Sequence, residues 1–328
     1  MMRFVLRRIL YMIPTMIIIS MIAFAIIQLP PGDFMTSVLA GLAATGETLD
    51  STMVEALREQ YGLGQPIYVQ YYKWISGIVL HGDFGLSFEW NRPVSEMIWE
   101  KLGLTFFISF VTLIFIWGIS IPIGIYSAVK QYSFGDYLFT FFGFIGLATP
   151  NFVVALLLMY FSFAVLGQSV GGLYSPEFIE APWSMAKFVD LMQHIWIPVI
   201  VIGTSGMATL IRIMRANLLD ELYKPYVTTC RAKGMKEWRL ILAYPVRIAL
   251  NPLVSTLGWV LPTLVSGAII VSVVLNLPTT GPLLLKALVA QDMYLAGSII
   301  LLLSVLTLIG TLISDILLAL LDPRIRYQ

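Results

Sequence analysis

Residues 104–129 read LTFFISFVTLIFIWGISIPIGIYSAV, twenty-six consecutive positions without a charged side chain. At about 1.5 Å of rise per helical residue this run measures about 39 Å, more than the roughly 30 Å of bilayer hydrocarbon. A helix satisfies its own backbone hydrogen bonds in lipid, whereas a barrel would show short segments of alternating polarity. The run therefore predicts a membrane-spanning helix. Working outward, five more runs of comparable character lie at 9–29, 137–166, 195–214, 252–275 and 295–320. The expectation is an all-α, polytopic membrane protein of six transmembrane helices.

Composition agrees with that reading. Of 328 residues 58% are apolar and 12% charged, against roughly 45–50% and about 25% in ordinary soluble domains. A net charge of +1 argues against a global nucleic-acid footprint. The single cysteine, Cys230, excludes an internal disulfide or a thiolate metal cluster. The first run follows Arg3, Arg7 and Arg8 but is too long for a secretory h-region and lacks an A-x-A cleavage site.

Charge distribution gives the orientation. The side holding both termini carries fourteen Lys and Arg: Arg3, Arg7, Arg8, Lys130, eight within 212–247, Arg324 and Arg326. The opposite side carries six. Both termini are expected in the cytoplasm by the positive-inside rule. The chain then divides into an N-terminal segment with its first helix (1–29), an external cap region (30–103) and a five-helix core (104–328) with a cytoplasmic loop at 217–251. Within the cap, Asp50 or Ser51 before MVEALREQY, with Gly62 after it, predicts a short helix.

Three motif-like stretches fail on chemistry. GLAATGET (41–48) has P-loop spacing, but Glu47 stands where the phosphate-binding lysine belongs. HGDFGLS (81–87) holds a DFG triplet without the other kinase signatures and reads as loop turns. GTSG (203–206) offers Ser205 as a nucleophile, yet His194 lies eleven residues earlier on what is expected to be the same helix. That is about 16 Å away, where a base must come within about 3 Å. Small residues for close helix packing are the better reading. His81 and His194, the only histidines, make no metal site. The chain is expected to be no enzyme and to bind no cofactor or metal.

Intramembrane charge is nearly absent, Asp315 being the main exception, and this weakens an ion-driven secondary carrier, the rival reading from another class. Thr149, Asn151, Thr263, Ser266 and Ser272 are candidate pathway-lining groups, and hydrogen bonding between helices is their alternative role. Asp315 reads as a structural group near the inner end of the last span. The sharpest local feature is cytoplasmic: Arg231, Ala232, Lys233 and Gly234, then Met235 and Trp238, where one helix is expected to end at Gly234 and a second, KEWRLILA, to follow. Composition supports equally a basic segment resting on anionic lipid and a docking element whose Gly234 permits a sharp turn.

The stretch TTCRAKGMKEWRLILAYPVRIALNP (228–252) resembles the EAA-type cytoplasmic motif of bacterial ABC importer permeases, of the dipeptide and oligopeptide permease B type. RRILYMIPT with LPPGD, YGLGQPIYVQYYKWI with GDFGLS and RPV, and LDPRIRY resemble other parts of that family in the same order. The resemblance implies a type I importer permease fold in a bacterial or archaeal inner membrane. It also implies a second homologous permease subunit, two cytoplasmic ATPases that use ATP and Mg, and an external substrate-binding protein. Residues 231–235 and Trp238 would then form the ATPase-docking coupling helix. Peptides are the expected cargo, with oligosaccharides second and nickel also within the family. Relatives often carry a glutamate near Ser272 and a PGLG-like turn near 277–281, where this chain reads LPTTG.

Overall fold

A computed structural model of the chain describes residues 2–28, 65–87, 89–90, 92–167, 171–266, 269–290 and 292–321. Its helices are α1 (Met2–Gln28), α2 (Ile67–Ser76), α3 (Val94–Val129), α4 (Phe134–Ala148), α5 (Asn151–Leu166), α6 (Met185–His194) and α7 (Trp196–Leu222), followed by α8 (Pro225–Ala232), α9 (Glu237–Ala243), α10 (Pro245–Ser266), α11 (Ile269–Val274), α12 (Thr280–Val289) and α13 (Met293–Leu321). A small hairpin pairs β1 (Leu86–Ser87) with β2 (Arg92–Pro93). Five helical segments are long and apolar enough to cross a bilayer, and a bent pair makes a sixth if counted as one span. The helix expected at MVEALREQY and the GLAATGET stretch lie outside the described residues.

The boundaries depart from the hydropathy reading in instructive ways. The helix expected over 104–129 begins at Val94 and has 36 residues, about 54 Å of helix. Glu96, Glu100 and Lys101 end the apolar run without ending the helix, because backbone hydrogen bonding is indifferent to side-chain charge. Arg92 pairs with Glu96 at 3.5 Å and Glu100 at 3.2 Å along that first stretch. The single span expected over 137–166 is instead α4 and α5, bent by 106° at Thr149 and Pro150. Proline lacks an N–H and drives the preceding residue into extended backbone, and Thr149 has φ −89° and ψ 125°. The stretch expected over 252–275 falls in α10 and α11, with residues 267–268 between them outside the described residues.

The described residues form two compact units, one of Met1–Ile9, Leu104–Gly281 and Leu306–Gln328, the other of Leu10–Gly103 and Pro282–Val305. In the first, α7 is the central element and packs against α4, α5, α10 and α11. Its Val201 and Leu210 are fully buried in a cluster with Ile116, Leu191 and Leu275. Small residues set the helix spacing: a Cβ on Gly203 would meet the Phe115 ring at 3.0 Å, and one on Gly146 would meet Thr204 at 2.5 Å. The GTSG stretch is thus a packing surface.

His194 ends α6 and does not share α7 with Ser205, which corrects the expected single helix. Its Nδ1 lies 2.8 Å from the Asp190 carbonyl, which only accepts, so Nδ1 donates. Asp315, read as a structural group, pairs with Arg8 at 3.2 Å.

In the second unit, aromatic packing ties α2 to α1. Phe24 lies 5.6 Å from Tyr71 and 5.5 Å from Trp74 between ring centroids, and the Ser20 and Tyr71 hydroxyls are 2.7 Å apart. Ser87 donates at 2.6 Å to Asp292, whose other oxygen caps the Leu295 N–H at 3.1 Å at the start of α13. One buried carboxylate therefore fastens the hairpin to a helix terminus.

Candidate functional site

The residues from Pro225 to Ala243 form two short helices joined by one tight turn. Pro225 opens α8 at a position where its missing N–H costs nothing. At the other end Gly234 takes φ +76°. Its N–H donates to Arg231 O at 2.9 Å, and the Met235 N–H donates to Cys230 O at 3.3 Å. This pair of bonds is a Schellman motif, which satisfies the last carbonyls of α8 and turns the chain sharply. The expected helix end at Gly234 and the second helix over KEWRLILA are both present, the latter as α9.

An ion pair closes the turn. Arg231 donates from Nη2 to Glu237 at 2.6 Å and from Nε at 3.2 Å. The cation sits in the last turn of α8 and the anion in the first turn of α9, where each opposes its helix dipole. Glu237 raises the Arg231 guanidinium pKa through that hydrogen bond. The pair is exposed and contributes little stability, about 0–1 kcal/mol, while bridging the two helices across the turn.

The inner face of the element is apolar. Val227 and Leu240 are fully buried and Ile241 nearly so, packed with Met214 and Leu218 of α7, Val246, Ala249 and Leu253 of α10, and Ala128 of α3. Tyr226 donates to Glu221 at 2.7 Å and ties α8 to the last turn of α7. Burial, then the Glu221 carboxylate, pushes the Tyr226 phenol pKa far up and keeps it a donor. Close-packed side chains thus join α8 and α9 to three long helices.

The outer face is polar and open. Arg231, Ala232, Lys233 and Gly234 are exposed, Met235 is half-buried, and Trp238 is 59% exposed with the Arg239 guanidinium 5.2 Å from its ring. A Cβ on Gly234 would meet nothing within 4 Å. The six residues singled out in the sequence thus gather around one turn. Sequence reading missed the Arg231–Glu237 pair and the Tyr226–Glu221 tie, although an acid opening a helix just after a basic helix end was a usable signal.

The other predicted set is only partly gathered. Thr149 and Asn151 flank the bend between α4 and α5, and Ser272 is buried on α11, which packs against α5. Thr263 and Ser266 belong to α10, but their side chains lie outside the described residues. Among the described residues no group of three His, Cys, Asp or Glu is placed to hold a metal ion.

Comparison with known proteins places this architecture. Residues 1–109 match the N-terminal membrane-component family of binding-protein-dependent transport systems. Over 329 residues the chain is 36% identical to the oligopeptide transport system permease protein AppB of Bacillus subtilis, covering 99% of each chain. It is 31% identical over 328 residues to the glutathione transport system permease protein GsiC of Escherichia coli K12, covering all of both chains. A putative peptide permease of Brucella ovis is 31% identical over 329 residues, again covering 99% of each. Residues 120–327 match the core family itself, and the chain belongs to the binding-protein-dependent transport system inner membrane components.

Proposed function

We infer that the chain forms six spans with both termini in the cytoplasm and conducts oligopeptides or dipeptides through the bilayer. Membership of the family makes it an ABC importer permease of the inner membrane, working with a substrate-binding protein and ATPase partners. The peptide assignment is supported by relatives named for oligopeptide and glutathione transport. The partner set is one further homologous permease, two ATP-binding subunits that use ATP and Mg, and an external binding protein docked on the cap region 30–103. The permease itself binds no cofactor.

One observation carries the coupling mechanism: the α8–α9 element is anchored by apolar side chains on one face and open on the other. On this reading Arg231, Ala232, Lys233, Gly234, Met235 and Trp238 contact the ATPase, and closure of the ATPases moves α8 and α9 as a rigid body. Val227, Leu240 and Ile241 pass that motion to α7, α10 and α3. Thr149, Asn151, Thr263, Ser266 and Ser272 are the pathway-lining positions. The experiment is reconstitution of the full transporter in proteoliposomes with its binding protein and candidate peptides. Peptide uptake that requires ATP, and loss of substrate-stimulated ATP hydrolysis in Trp238→Ala with intact assembly, are the expected results. Uptake by this chain alone, or by an ion gradient without ATP, would overturn the reading.

A further inference from the structure

On the α4 face of α7, next to the end from which the α8–α9 element departs, lies a cleft of about 260 Å³ between the two helices. Its floor is made by Gly143 of α4 and Ala208 of α7, where a Cβ on Gly143 would come only to 3.7 Å from the Ala208 methyl. Its walls include Tyr137, Phe144 and Leu147, which are 61%, 57% and 46% exposed. These apolar groups face outward along α4 and have no protein cover among the described residues.

Charge is confined to one end. Asp136 is buried and receives Nε and Nη2 of Arg215 at 3.1 and 2.9 Å and the Tyr132 N–H at 3.0 Å. Its charge is therefore matched within the protein. Arg212, one turn before Arg215, is exposed at the rim, and no carboxylate pairs with it among the described residues. The cleft thus carries one uncompensated cation at its polar end and an apolar groove leading away from it. From Asp136 to Leu147 the groove follows α4 for about 16 Å, close to half of the roughly 30 Å hydrocarbon layer. That length suits an acyl chain of one leaflet.

We propose that this cleft holds an anionic phospholipid of the cytoplasmic leaflet, with the headgroup phosphate on Arg212 and an acyl chain along Gly143 and Ala208. The assignment to that leaflet rests on the orientation given under Proposed function. A guanidinium matches phosphate oxygens in a fork geometry that a zwitterionic headgroup also offers, but only an anionic lipid leaves no opposing cation beside it. The bound lipid would fill the space between α4 and α7 and stiffen the end of α7 that carries the coupling element.

The test uses the full transporter in nanodiscs doped with a phosphatidylglycerol bearing a photoactivatable acyl chain. Labelling is expected within 137–147 or 208–212, with unlabelled phosphatidylglycerol competing at about fivefold lower concentration than phosphatidylcholine, the discrimination one surface cation provides. Arg212→Gln, a surface change that leaves packing intact, is expected to lower labelling about fivefold, and Arg212→Lys to restore part of it. Thr140→Trp is expected to block labelling by filling the groove. Equal competition by the two lipids, or labelling unchanged in Arg212→Gln, would overturn the proposal. So would a disulfide from Phe144→Cys to the second permease subunit, which would put a protein helix in the groove. Orientation is read separately from Arg212→Cys in a Cys230→Ser background with a membrane-impermeant reagent. Modification from outside would sink the topology while leaving the cross-linking result to stand by itself.

Discussion

Two short helical segments adjoin the ends of α7, and they are built with opposite polarity. The α8–α9 element hides Val227, Leu240 and Ile241 and exposes Arg231, Lys233 and Trp238. Helix α6, at the other end, buries charged and polar groups beside a single apolar side chain, Leu191. Lys187, Asp190 and His194 are buried, while Met185, Phe188, Val189 and Met192 are exposed. The buried charges of α6 are matched. Lys187 donates to the Ala181 carbonyl at 2.6 Å and lies 4.9 Å from the Tyr174 ring, and Asp190 accepts the Ser175 N–H and hydroxyl at 2.8 and 2.6 Å. The contrast shows two ways of attaching a small element to a long helix. One relies on apolar burial, which tolerates small shifts. The other relies on directional hydrogen bonds, which do not.

The comparison can be broken at its polar end first. Asp190→Ala strips the acceptor from two Ser175 donors and is expected to cost about 4 kcal/mol, since each hydrogen bond to a buried charge contributes about 1.5–3 kcal/mol. Thermal unfolding of the purified complex measures it, and a loss below that of Leu240→Ala would reverse the ranking. Leu240→Ala removes a fully buried side chain from the apolar anchor and is expected to cost about 3 kcal/mol. It should also weaken coupling between ATP hydrolysis and uptake, which a transport-to-hydrolysis ratio in proteoliposomes reads directly.

Gly234→Ala sharpens the turn between the two helices. The added methyl has open space but must adopt φ +76°, so about 1 kcal/mol is expected from backbone strain. Limited proteolysis near 234 should be faster, and unchanged cleavage would show that the Schellman turn tolerates a side chain. The smallest stability effect, below about 1 kcal/mol, is expected for Arg231→Gln, because its ion pair is exposed. A stability loss as large as that of Leu240→Ala would mean that the pair does more than bridge an exposed turn.

What the sequence disclosed follows the range of the interactions. The RAKG turn and the helix after it were readable because a Schellman end is encoded within six consecutive residues. Long apolar runs disclosed the spans for the same local reason. The early start of α3 was hidden because Glu96, Glu100 and Lys101 interrupt hydropathy and not helicity. The bend at Pro150 had its signal in the Thr149–Pro150 pair, but apolar length on both sides masked it. The Asp136–Arg215 pair joins residues far apart in the chain, and no local pattern announces it. The inverted polarity of α6 was illegible because Lys187 and Asp190 read as solvent-facing until their partners at 174–181 are seen.

The Arg8–Asp315 pair carries a consequence for how the chain is made. Arg8 leaves the ribosome roughly 300 residues before Asp315, about 15–60 s earlier at ordinary translation rates. Until then the cation at the base of α1 waits for its counterion. The last helix is otherwise almost uniformly apolar, and its single carboxylate enters the bilayer at a place where an earlier segment already supplies the opposite charge. The pair joins two residues near opposite ends of the described residues, and it forms only once both have been made.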